Sequence, residues 1–176
     1  MNSKINLKRI IINSLFLGIG AVLHQIAPPI LLGMKPDFSL VMLFIILLLN
    51  DDYKTCLSAG IVAGLLAAAT TTFPGGQLAN VIDKFITTNI MYFALIPLKT
   101  IINNNQIKIM FTSIIGTIIS GSAFLLTALI TVGLPTSFKI LFISVVIPAT
   151  LINTVAAFIL FNALNAAVRR AAPKGM

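Results

Sequence analysis

The chain has 176 residues, 58% of them apolar and only 9% charged, with a mean hydropathy of +1.05. A soluble domain is roughly 45–50% apolar and about 25% charged, so the composition excludes one and requires an integral membrane protein. At ~20 apolar residues per crossing, residues 1–176 hold about six helices in a single transmembrane domain, and the net charge of +8 comes from Lys and Arg scattered between apolar runs, which report topology and not a nucleic-acid patch.

In chain order, Lys4, Lys8 and Arg9 precede a first helix over residues 10–27. Pro28-Pro29 stands where a small-residue cleavage site would end a signal peptide, so this helix is expected to be retained. A polar passage, Pro28 to Asp37, leads to a second helix over 38–49, which is short for a span. Asn50 to Lys54 makes a turn before a third helix over 55–71. Thr70 to Lys84, TTTFPGGQLANVIDK, then breaks the apolar pattern with Pro74, Gly75 and Gly76. Backbone that leaves helical geometry near membrane depth is tolerated only where protein buries it or water reaches it, and such interruptions point to transporter binding sites. A fourth helix is expected over 81–98, with Asn80 as its N-cap and Asp83 in its first turn. Asn103-Asn104-Asn105 lies in the most polar loop, a fifth helix covers 109–132, and a sixth covers 140–167 with a bend at Pro148.

Six crossings put both termini on one side. Lys4, Lys8, Arg9, Lys54, Lys99, Lys108, Arg169, Arg170 and Lys174 share that side, against Lys35, Lys84 and Lys139 opposite. This excess marks the cytoplasm. Pro28 to Asp37, Thr70 to Lys84 and Gly133 to Lys139 are therefore expected to face outward and to converge on one pocket.

No catalytic constellation is visible: His24 is the single histidine, Glu is absent, and Gly75-Gly76 is not followed by the GK[ST] of a phosphate-binding loop. Four Asp and one His on separate segments lack any metal-ligand spacing, and lone Cys56 excludes an internal disulfide. The expectation is a non-enzyme without metal or cofactor. The outward polar groups are Gln77, Asn80, Asp83 and Lys84 in one passage and His24, Lys35 and Asp37 in the other. Both signs of charge beside an apolar interior suit a zwitterionic amino acid, and Phe73 and Phe38, with Met34, offer contact to a flat ring. Asn89, Thr117, Ser120 and Asn153 within the helices are costly unless they face the bundle interior. Ser14 and Gly18 on helix one, and the rows Ala59-Ala63-Ala67 and Gly60-Gly64-Ala68 on helix three, suit close helix packing or a docked membrane subunit.

Four blocks carry a family resemblance: GAVLHQIAPPILLGMKPD (Gly20 to Asp37), TTFPGGQLANVIDK (Thr71 to Lys84), GTIISGSAFLLTALITVGLP (Gly116 to Pro135) and VIPATLINT (Val146 to Thr154). Together they resemble the bacterial tryptophan transporter family, TrpP, over most of the chain. The resemblance implies tryptophan uptake across the bacterial cytoplasmic membrane. It also implies an architecture similar to the substrate-binding S components of energy-coupling factor (ECF) transporters: six helices, ligand held near the outer face, and small residues of helix one docked on a transmembrane coupling subunit driven by two ATPase subunits. Ser14 and Gly18 stand where such proteins carry an AxxxA motif. On this reading Lys84 or Lys35 meets the substrate carboxylate, and Asp83 or Asp37 its ammonium. Asn80 or Gln77 meets an amine or indole N–H, Phe73 stacks on the ring, and His24 and Asn153 complete the site. Two rivals share the features: a stand-alone proton- or sodium-coupled carrier using Asp83 and His24, and a vitamin-binding S component.

Overall fold

The structure, a computed structural model, describes residues 7–30 and 32–171. Lys4 and Lys174, and the side chains of Arg169 and Arg170, which enter the topology expectation, lie outside the described residues or side chains. The helices are α1 (Leu7–Ile26), α2 (Phe38–Leu49), α3 (Tyr53–Thr70), α4 (Gly76–Ile101), α5 (Asn105–Thr131), α6 (Phe138–Leu141) and α7 (Ile147–Ala171). The five residues Phe142–Val146 join α6 to α7 in a wider π turn, giving one continuous rod. Five segments are long and apolar enough to cross a membrane: α1, α3, α4, α5 and the rod over Phe138–Ala167.

The sixth apolar helix, α2, is different. Its 12 residues rise about 18 Å at ~1.5 Å each, short of the ~30 Å hydrocarbon core. It is hydrophobic all round, and Ser39 to Leu47 are at most 1% exposed, because α1, α3, α4, α5 and α7 all pack on it. Asp37 starts it by accepting the Leu40 N–H, and the Asn50 N–H closes it on Ile46 O. Close approach to α2 needs missing side chains: a Cβ on Gly20 would meet Met42 and Ser39 at 3.0 Å, and one on Gly116 would enter the Phe44 ring. The outer faces carry Leu15, Leu65, Phe93, Ile130 and Leu151 exposed, the inverse of a soluble protein and what lipid contact demands.

Both small-residue rows of α3 turn inward. Gly60 lies against Thr88, Gly64 against Val81 and Lys84, and Ala59, Ala63 and Ala67 are buried, so their role is intramolecular packing. Ser14 and Gly18 remain on the open face of α1, with nothing within 4 Å of a Cβ on Gly18.

Most helix ends lie within four residues of expectation, α5 for instance starting at Asn105 and not at residue 109; two local features differ more. Helix α4 begins at Gly76, five residues before Val81, because Gly75 takes the left-handed conformation (φ 71°) at the N-cap and turns the chain directly into the helix. Asn80 is therefore not the cap; it lies in the second turn, where its Nδ2 donates to Gly76 O. Near Pro148 the sequence suggests a bend, and the structure has the π turn: the Ile147 N–H reaches back five residues to Phe142 O, in a stretch adjoining a proline that has no N–H to give.

The loops before α2, α4 and α6 come together at one end. Thr72 Oγ1 donates to Gly33 O at 2.5 Å, Met34, Phe73 and Leu134 share an apolar cluster, and a Cβ on Gly75 would meet the Val132 side chain. At the other end Asn13 pairs with Asn50, Lys99 with Asp51 and Gln106 with Asn162.

Candidate functional site

A cleft opens beneath the gathered loops. Its space between side chains is about 600 Å³ counting the open mouth, of which about 80 Å³ is reached by the centre of a water molecule. One wall is charged. There Asp37 is fixed by its cap bond to Leu40 N–H and by the Ser39 hydroxyl, which donates to Oδ1 at 2.5 Å. Its other oxygen takes the Lys84 ammonium at 2.5 Å, and the same ammonium meets Asp83 at 2.9 Å and 3.2 Å. Ser120 on α5 donates to Asp83 Oδ1 at 2.6 Å. His24 Nδ1, on α1, lies 3.5 Å from Asp37 and 3.2 Å from Pro36 O. Asp83 and Lys84 are each 1% exposed, and two carboxylates share one ammonium, a formal balance of −1 when both aspartates are ionised and His24 is neutral.

Burying this cluster is costly unless every charge is paired and hydrogen-bonded. Burial itself opposes the charged form of Asp37, but Lys84, His24 and the Ser39 hydrogen bond outweigh it and hold this loop carboxyl well below the usual carboxylate range.

The opposite wall comes from α5 and the α6–α7 rod. Thr117, Ser120, Gly121 and Phe124 line it from α5, and Val145, Val146, Ala149 and Asn153 from the rod. Each set follows helical spacing and forms one stripe. Phe73 meets Phe124 edge to face, ring centroids 5.5 Å apart, and Met34 packs in the same cluster. Asn153 Nδ2 donates to Thr117 Oγ1 at 3.4 Å, while its Oδ1 is buried with no partner.

Of the residues singled out from sequence, His24, Lys35, Asp37, Phe73, Asn80, Asp83 and Asn153 line this one cleft. Lys84 stands behind them, held by Asp37 and Asp83, and does not line it. Gln77 is exposed and outside it. Phe38 packs on the main core instead, and Asn89 faces Tyr53, accepting its hydroxyl at 2.7 Å. Sequence reasoning did not assign Ser39, Gly121, Phe124, Val145, Val146 or Ala149 to the site. A signal was present: each of the last five lies four to eight residues from Thr117 or Asn153, on the face those polar residues mark. Among the described residues no group of three or more His, Cys, Asp or Glu could hold a metal ion.

Apolar outer faces, five membrane-length segments and a polar cleft among them define a multi-pass cell-membrane protein. The model of the family described as "Tryptophan transporter TrpP" matches residues 6–169, and the chain belongs to that family, one of transporters and not of enzymes. Its relatives include proteins named "Probable tryptophan transport protein" from three bacteria. The one from Clostridium acetobutylicum is 64% identical, over 94% of this chain and 96% of its own length. That from Clostridium perfringens is 45% identical (97% and 98%), and that from Bacillus subtilis 42% (93% and 94%). No solved structure matches the chain.

Proposed function

We propose that this protein takes tryptophan from the outer side of the cell membrane and delivers it inward, with both termini in the cytoplasm. The observation that carries this reading is the cleft itself, which sets a buried cluster of net negative charge against an aromatic and aliphatic wall, in a chain of the TrpP family. The substrate ammonium goes to Asp83 and Asp37, whose single shared cation leaves one carboxylate unbalanced. Lys35 takes the carboxylate: it lines the cleft, its hydrogen bond to Gln25 O is a long 3.5 Å, and it feels the charge of Asp37 without an ion-pair contact to it. Lys84 orders the two aspartates, and the indole lies inward against Phe73 and Phe124. Loading a bicyclic ring requires that aromatic pair to part, because the water-reachable space is small.

For energy, the reading is an ECF S component: Ser14 and Gly18 on the open face of α1 are the docking surface for a transmembrane coupling subunit carrying two ATPase subunits. The unbalanced carboxylate favours a second reading, a stand-alone ion-coupled carrier. Uptake that survives an ionophore but stops on ATP depletion, with ATPase subunits co-purifying, selects the first; the reverse selects the second.

The chain contains no tryptophan, so added tryptophan is the only indole in a purified sample. Transfer into the cleft shifts its emission to the blue and saturates. No saturable shift up to millimolar ligand, or competition by a vitamin and not by tryptophan, refutes the substrate. For orientation, Thr72→Cys in a Cys56→Ala background should react with an impermeant maleimide in intact cells and Asn104→Cys only after permeabilisation.

A further inference from the structure

We propose that Asn153 is the specificity-determining residue of this site: its Oδ1 accepts the indole N–H, so that the protein selects tryptophan over flat aromatic amino acids that lack a ring donor. This rests on the tryptophan reading above.

Three observations support it. Asn153 is 1% exposed, lines the cleft, and its amide is oriented by the bond from Nδ2 to Thr117 Oγ1, which leaves Oδ1 as a buried acceptor without a donor. A buried carbonyl oxygen left unpaired is disfavoured, and a ligand that supplies the missing N–H gains what the empty site lacks. Second, the wall leading to it is cut to a ring. Gly121 and Ala149 lie one turn outward from Thr117 and Asn153 along α5 and α7, and Phe124, Val145 and Val146 lie a further turn outward. Gly121 must be small, since a Cβ there would meet Val146 at 2.6 Å. The missing side chain at Gly121 lets Val146 pack close against α5, and a flat ring that has parted Phe73 from Phe124 would lie along Ala149 with its edge at the amide.

Third, the two kinds of donor on the ligand have two kinds of acceptor in the cleft. The ammonium, a charged donor, belongs with the carboxylates Asp83 and Asp37, where charge-assisted bonds are strongest. The only other donor on tryptophan is the indole N–H, and among the described residues Asn153 Oδ1 is the one fully buried side-chain acceptor on the cleft lining that has no partner. Sites that hydrogen-bond a substrate N–H or O–H discriminate strongly against isosteres without it, because the site's own polar group is then stranded. Phenylalanine and benzothiophene analogues fill the slot but leave Oδ1 unpaired.

The test uses the purified full-length protein and three ligands: tryptophan read by its fluorescence, with 3-benzothienylalanine and 1-methyltryptophan read by competition. In the sulfur analogue the N–H is replaced with little change in shape. The wild type should prefer tryptophan by about 10–100-fold, the range of one stranded buried polar group. Asn153→Leu should weaken tryptophan by the same factor, leave 3-benzothienylalanine unchanged or tighter, and bring the ratio to about 1, whereas Asn153→Asp, which keeps an acceptor, should keep the preference. If Asn153→Leu does not fold, the wild-type ratio and Asn153→Asp still decide. Wild type that binds tryptophan and the sulfur analogue equally overturns the role of Asn153 and leaves the substrate standing. Wild type with no saturable tryptophan signal overturns both.

Discussion

Replacing Lys84 with Met removes the one cation from a site holding two carboxylates. Asp37 loses its 2.5 Å partner and Asp83 its 2.9 Å partner, in surroundings where Lys84 and Asp83 are each 1% exposed. Breaking a buried ion pair from one side costs about 3–5 kcal/mol, because an uncompensated charge stays behind. For a chain of this size each kcal/mol moves the melting temperature by roughly 2–4 °C, so Lys84→Met should melt about 6–20 °C lower. The single cysteine provides the assay: Cys56 is fully buried, and a thiol-reactive dye reports when the bundle around it opens. Asp83→Asn should cost less, since Lys84 keeps Asp37. The double variant Lys84→Met with Asp83→Asn should melt above Lys84→Met, because it strands one carboxylate instead of two. Such non-additivity is the signature of direct coupling. A Lys84→Met protein melting within about 2 °C of wild type, or a double variant less stable than Lys84→Met, would refute the reasoning.

Gly116→Ala drives a methyl group into the Phe44 ring and should cost about 1–3 kcal/mol; adding Phe44→Leu should recover part of the loss, and melts of the two singles and the double check this. Asp37 has a folded pKa below its ordinary 3.8, so its contribution to stability is full above about pH 4 and is lost as pH falls toward the folded value. Melting of the wild type should therefore decline below pH 4 more steeply than that of Asp37→Asn, and parallel curves would contradict it. Gly18 is exposed and a Cβ there meets nothing within 4 Å, and Gly18→Leu gains up to ~1 kcal/mol of helix propensity, so melting and tryptophan binding should hold while uptake in cells falls at least tenfold. Unchanged uptake would remove this face of α1 as the docking surface.

The membrane spans were legible because hydropathy and length are local properties of the sequence, and the start of α2 was legible because Pro36 and Asp37 fix it. The start of α4 was not. Pro74-Gly75-Gly76 reads as a loop, and only the left-handed backbone at Gly75 shows that the helix starts at once. That shift decides the fate of Gln77: six residues before Asp83 on one helix, it sits about 240° around the axis and one end-turn too high, away from the cleft. Partners across the bundle were out of reach too. Ser120 with Asp83 and Asn153 with Thr117 join residues 37 and 36 positions apart, and no period within one helix specifies that register.

Lys84 shows how far neighbouring positions can diverge in role. On sequence, Asp83 and Lys84 form an adjacent pair of opposite charge that could each take one end of a zwitterion. On a helix they point about 100° apart, and the long lysine stem bends its ammonium back to its neighbour while reaching Asp37 at the start of α2. A cation already holding two carboxylates has little to offer a third. On the proposed function the substrate would therefore meet this wall through its ammonium and leave its carboxylate for Lys35, which would send the ring toward Asn153, whose Oδ1 is buried without a partner; the orientation proposed for the ligand thus rests on the pairing of one buried lysine.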